Sequence, residues 1–217
     1  METLEKELSQ FLTLEAIPRL KCVALVNVMG LTGSDEGCQF ILGSDVLLSS
    51  LLGRTTDKIP DAREMAVKSI INVATEEEAS WKVLKAKNCN ELLLEWFEYI
   101  IDHTFKDADL FCQLISNLTR TEKCAEYVSK VILKDNSEMV EKLLKALCTV
   151  KYNEYADLHY LAEVLANLSQ NRDVRNLLMN REQCLIQKLM TFTEYKQSAI
   201  RRHGAIGTLR NCCFDTG

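Results

Sequence analysis

Residues 164–170 read VLANLSQ, and near-copies recur at 114–120 (LISNLTR) and 69–75 (SIINVAT). Two of the three contain Asn-x-Ser/Thr, the acceptor triplet for N-glycosylation. Aligning the chain on this phrase gives a ladder: Gly30-Leu31-Thr32, Asn72-Val73-Ala74, Asn117-Leu118-Thr119, Asn167-Leu168-Ser169 and Asn211-Cys212-Cys213. The steps are 42, 45, 50 and 44 residues. A period of about 40–47 residues marks repeats of two or three helices stacked into a solenoid, the armadillo and HEAT pattern.

The intervals divide as that pattern requires. Ahead of each Asn, apolar residues fall at helical spacing: Ala66, Ile70 and Val73; Phe111, Ile115 and Leu118; Leu161, Leu165 and Leu168. Pro60 precedes Asp61-Ala62-Arg63-Glu64, and Pro18 opens the first such segment. Proline at the first helical position, followed by acids near the positive end of the dipole, is a helix start. After each ladder position the chain turns polar, as in Thr32-Gly33-Ser34-Asp35-Glu36 and Ser169-Gln170-Asn171-Arg172-Asp173, which is N-cap chemistry. Middle helices are predicted at Glu91–Ile101, Glu138–Leu147 and Gln183–Phe192.

The fold class that follows is all-α: an armadillo/HEAT-like α-solenoid of about four three-helix repeats plus a partial N-terminal one. The expected repeats are 1–32, 33–74, 75–119, 120–169 and 170–214, within one solenoid over 1–217. In such arrays each repeat buries its apolar face against its neighbours. The chain stops at Phe214-Asp215-Thr216-Gly217, directly after a complete third helix. The expectation is therefore truncation at the C-terminus and an uncapped end through which the chain can self-associate.

Composition narrows the function classes. The 217 residues carry a formal charge of -5, split into -9 over 1–170 and +4 over 171–217. An acidic body argues against nucleic-acid binding, which needs a broad basic surface. The start, METLEKELSQ, has no basic region followed by an apolar run, so no signal peptide is predicted. CVALVNVMGL, the most apolar stretch, is far shorter than a membrane span. Nine scattered cysteines include no Cys-x-x-Cys and cannot all pair, so reduced thiols and a cytoplasmic location are expected. In that compartment the Asn triplets do not receive sugar.

Two readings of the ladder Asn then remain. It can pack, satisfying loose carbonyls at a helix end, or it can face a partner's backbone. Four residues before each Asn stand Lys68, Gln113, Glu163 and Gly207. The Trp of importin-alpha-like clamps is absent there, so a receptor for basic nuclear signals is disfavoured; Trp81 and Trp96 are expected in the core. Eight residues before stand Glu64, Asp109, His159 and His203, within about 80° of the Asn on a helical wheel. That column runs from acidic to basic, and is either a solvated face or a groove matched to a partner of changing charge.

No catalytic constellation emerges. His103, His159 and His203 lack zinc-site spacing, no phosphate loop or Gly-x-Ser-x-Gly occurs, and Cys212-Cys213 lies on other turns and faces than His203. The expectation is a non-enzyme with no metal and no cofactor.

Two segments are more particular: LCTVKYNEYADLHYLAEVLANLSQ at 147–170 and SAIRRHGAIGTLRNCCF at 198–214. They resemble the Hgh-one homologue family (brain-protein-sixteen-like) at Tyr152-Asn153, Leu158-His159-Tyr160-Leu161, Asn167-Leu168-Ser169-Gln170, Arg201-Arg202, Gly204 and Gly207–Phe214. The likeness is sharp over 147–214; over 1–146 it rests on compatible repeats. The resemblance implies a chaperone adaptor that binds translation elongation factor 2 and brings it to the cytosolic chaperonin. The alternative is a general armadillo scaffold binding peptides or proteins in the cytosol. Expected partner contacts are Asn153, His159, Asn167, Arg201, Arg202, His203, Arg210 and Asn211, polar residues within or beside the matching motifs. Nucleic acid and membrane are not expected partners.

Overall fold

The computed structural model describes residues 2–13, 17–135, 138–180 and 185–213. The expected last middle helix begins at Gln183, and Gln183 lies outside these residues, as do Cys184 and 214–217. The described residues hold fourteen helices and no strand, in two compact units, 1–95 and 96–217.

In the first unit two helices, α1 (Glu2–Phe11) and α2 (Pro18–Leu31), precede the triplet α3 (Asp35–Gly43), α4 (Asp45–Leu52) and α5 (Pro60–Val73). Then come α6 (Glu77–Lys85) and the beginning of α7 (Cys89–Ile101). The prolines expected to start α2 and α5 do so. Ser34 caps α3 by accepting from the Gly37 amide, and Ser44 caps α4 by accepting from Leu47. α2 packs along α5, and Leu25, Val28, Ile41, Leu47, Leu51, Val67 and Ile70 close the core.

The second unit contains the remainder of α7, then α8 (Ala108–Leu118), α9 (Glu122–Asp135), α10 (Met139–Cys148) and α11 (Leu161–Leu168). It ends with α12 (Arg172–Leu178), α13 (Leu185–Met190) and α14 (Ala199–Cys213). Asn171 caps α12 by accepting from the amides of Asp173 and Val174. The third-position apolar sets predicted from spacing, 66/70/73, 111/115/118 and 161/165/168, are all buried. Trp96 is fully buried and tilts 6.4 Å from Phe111, which Tyr99 and Phe105 also contact; Trp81 is half-buried.

α11 and α14 pack with their backbones in close approach. A Cβ added at Gly204 would fall 2.3 Å from the Ala162 carbonyl carbon, inside any van der Waals contact. Only a residue without a side chain lets the two backbones approach this far.

Candidate partner-binding surface

The ladder amides reach backward, each toward the end of the preceding third helix. Asn72 Nδ2 donates to Thr32 Oγ1 at 2.9 Å. Asn167 Nδ2 donates to the Ser116 carbonyl at 3.1 Å and Thr119 Oγ1 at 3.3 Å. Asn211 Nδ2 donates to the Ala166 carbonyl at 3.1 Å and Ser169 Oγ at 2.9 Å. Each hydroxyl in turn donates to its own helix: Thr32 to Met29, Thr119 to Ile115, Ser169 to Ala166. The last carbonyls of an α-helix run short of intrahelical donors, and this relay of side chains supplies them to Met29, Ser116 and Ala166. In Asn167-Leu168-Ser169 the phrase is thus a packing device, its Asn fastening one repeat and its hydroxyl receiving the next. Asn117 differs, accepting from Arg120 Nη2 at 2.8 Å through its side-chain oxygen.

Asn153 and Arg201, expected at the partner surface, are instead buried, each 4% exposed. Asn153 Nδ2 donates to the carbonyls of Asp102 (2.9 Å) and Phe105 (3.0 Å), and its oxygen accepts from the amides of Tyr155 and Ala156. Nothing of the amide is left for a partner. Arg201 donates from Nη1 to the Leu147 carbonyl at 3.3 Å and from Nη2 to the Asp157 carbonyl. Its guanidinium also lies over the rings of Phe192 and Tyr195, 5.4 and 5.2 Å away. Burial pushes its pKa down, with Tyr195 and Asp157 opposing.

These residues brace the 149–160 connection between α10 and α11. Tyr152 donates its hydroxyl to the Ile101 carbonyl at 2.6 Å, and the Glu154 amide donates to that of His103. Leu158 has φ 54°, a left-handed backbone that costs a branched residue of order 1–3 kcal/mol. Asp109 offsets that strain by accepting from the amides of Asp157 (3.1 Å) and Leu158 (2.6 Å). The motif residues of 152–161 and Arg201 therefore hold the connection in place.

The acidic-to-basic column is broken by the same architecture. Asp109 is committed to backbone amides. His159 precedes α11, which starts at Leu161, and packs edge-on to Tyr195 at 6.5 Å. Asn167 and Asn211 are half-buried in the relay, and Arg202 donates to the Tyr195 carbonyl at 2.9 Å. His203 and Arg210 alone among the expected residues are exposed on α14.

His203 opens onto a groove of about 270 Å³ between α8, α11 and α14. Asn117, Arg120, Glu163 and Asn167 line it, and Ser116 Oγ donates to Glu163 Oε2 at 3.1 Å across its floor. Arg120 and Glu163 were not among the expected contacts. Arg120 was nonetheless readable, because its position three residues past Asn117 puts it within reach of that side chain.

Among the described residues no group of three or more His, Cys, Asp or Glu is placed to hold a metal ion. No described helix is long and apolar enough to cross a membrane. The eight described cysteines are free. Burial pushes Cys89 up to about 12 and Cys112 well above the usual thiol range, which leaves both inert at neutral pH.

The family described as "Domain of unknown function (DUF383)" matches residues 99–217. A zebrafish protein (Danio rerio) named "Protein HGH1 homolog" is 34% identical over 210 residues, 97% of this chain and 55% of that protein. The Drosophila melanogaster protein of the same name is 39% identical over 221 residues, 100% of this chain and 59% of its relative. The likeness therefore extends through 1–146, beyond the motifs that first carried it. The chain spans just over half the length of these curated relatives. A solved structure described as "computationally designed armadillo repeat proteins for modular peptide recognition" superposes with a TM-score of 0.70 at 16% identity. It covers 96% of this chain and 80% of the designed one, and it identifies the fold as an armadillo-type α-solenoid. By the DUF383 match over 99–217 and this identity along nearly all of the present sequence, the chain belongs to the HGH1 family.

Proposed function

We propose that this chain is a non-enzymatic, cytoplasmic protein-binding adaptor that assists folding of translation elongation factor 2 by bringing it to the cytosolic chaperonin. The observation that carries the binding role is the groove on α8, α11 and α14, with His203 and Arg210 exposed on α14. A repeat array offers extended surface without any need for a reacting centre. Membership of the HGH1 family supports the choice of client, and the basic balance of 171–217 supports an acidic contact on it. Neither nucleic acid nor membrane belongs to this reading.

The test is capture from a translating eukaryotic lysate with the tagged chain, followed by mass spectrometry. Elongation factor 2 enriched together with chaperonin subunits is the expected result. A His203→Ala/Arg210→Ala double variant should weaken capture by about tenfold, equivalent to roughly 1.4 kcal/mol. Wild-type-like capture by that variant, with its helical content unchanged, would move the contact off α14. Capture of neither protein by the folded wild type would defeat the adaptor reading.

A further inference from the structure

A second groove lies in the first unit, and none of its lining residues comes from a third helix. It has a volume of about 770 Å³ and runs between α4 and the α6–α7 junction. Leu48 and Ala86 contribute to its lining, with Ser49 and Ser50 beside them. Val46 stands at its edge with 63% of its surface in solvent. Lys82, Lys85 and Lys87 form a cationic rim, and Asp45 is the one carboxylate among the lining residues.

The charge of this rim is set against its surroundings. Residues 1–170 carry 27 acidic and 18 basic side chains, yet this groove gathers three lysines around one aspartate. The Lys82–Asp45 pair is long, 3.9 Å, and exposed, so it neutralises little. Lys85 Nζ lies over the Trp81 ring, 4.8 Å from its centroid. The left-handed Asn88 (φ 72°) turns the chain between α6 and α7 and keeps Lys87 at the same rim.

We infer that this groove is a docking site for an extended acidic peptide segment bearing an apolar side chain, with the lysines receiving its carboxylates and Val46 its apolar group. Charge complementarity selects the occupant: a cationic rim on an acidic body attracts a short acidic segment. The site is independent of the α14 surface, so either can fail without the other.

A fluorescein-labelled twelve-residue peptide alternating Leu with Asp and Glu serves as the probe, titrated by anisotropy against the whole chain. Saturable binding that weakens with added salt is expected. Replacing Lys82, Lys85 and Lys87 together by Glu should weaken it by about tenfold or more, three rim charges contributing up to about 1 kcal/mol each. Val46→Asp should weaken it several-fold. If the triple variant does not fold, Ser49→Glu with Lys87→Glu alters rim positions alone and should act in the same direction. The inference is overturned if the folded wild type does not bind the probe, or if the charge reversals leave binding unchanged. Equal binding by a Leu-free acidic peptide, a Lys/Arg peptide or a single-stranded oligonucleotide also overturns it.

Discussion

Residues 1–95 fasten the connection between a second and a third helix with a buried cluster of paired ions, whereas 96–217 do the same work by bonding an amide, a carboxylate and a buried guanidinium to backbone groups. In the first unit Asp57, in the α4–α5 connection, receives Lys21 Nζ from α2 at 2.8 Å and Arg54 Nη1 at 2.9 Å. The Ile59 amide donates to its other oxygen, and Arg63 donates to its carbonyl. Lys21, Arg54 and Asp57 are all about 95% buried, and Arg54 Nε has no hydrogen-bond partner. In the second unit the 149–160 connection is held by Asn153 and Asp109 on one side and by Arg201 on the other. Among the described residues no carboxylate pairs with Arg201 directly; its partners are carbonyls and ring faces. A buried ion cluster adds little net stability but is costly to break, because each survivor is left charged and unpaired. A neutral member such as Asn153 loses only the bonds that are removed.

That difference can be broken most severely at Asp57. Asp57→Ala strands Lys21 and Arg54, and should cost about 3–5 kcal/mol. Hydrogen exchange read by mass spectrometry should place the lost protection in peptides of 1–95. Protection lost equally throughout the chain would show that the cluster does not act locally.

Arg201→Ala should cost about 2–4 kcal/mol, since it orphans two carbonyls and removes packing against Phe192 and Tyr195. Urea denaturation measures it, and Arg201→Lys should recover less than half, because an ammonium cannot reproduce the planar fork. Full recovery by lysine would reduce the brace to a charge effect. Gly204→Ala should cost about 1–3 kcal/mol by forcing α14 away from the Ala162 backbone, a loss that a thermal melt would show.

The ladder offers a finer test. Asn167→Ala should cost about 1 kcal/mol, and its combination with Thr119→Val should be less than additive because the two groups share one hydrogen bond. Strict additivity in a double-mutant cycle would contradict the relay.

The smallest effect at neutral pH is the titration of Asp57. Burial opposes its ionisation, but the bond from Lys21, the Ile59 amide and the charges of Lys21 and Arg54 outweigh it and hold the carboxyl below the usual range. A depressed carboxyl contributes stability that is complete above its unfolded pKa of about 3.9 and is lost as pH falls through the folded value. The first unit should therefore lose stability in acid below about pH 4, and Asp57→Asn should flatten that slope.

Much of the fold could be read from the chain because repetition multiplies a weak signal. One Asn-Leu-Ser is ambiguous, but a ladder of five positions at steps of 42–50 residues fixes a period, and Pro18 and Pro60 fix where helices start. The surface was less legible. Asn153 and Arg201 were read as contacts because they are polar residues of the family-matching motifs, and such residue types are mostly exposed. Their burial depends on the carbonyls of 102, 105, 147 and 157, more than forty positions away. The Lys21–Asp57 pair, 36 residues apart, went unseen for the same reason.

The sequence by itself determined the helical repeat, its period and its apolar faces, because those follow from spacing within a helix and from backbone preferences of Pro, Asn and Ser. Only the tertiary structure decided which polar groups turn inward. A side chain's exposure depends on the backbone groups that reach it from other repeats, and no local pattern encodes where those carbonyls and amides end.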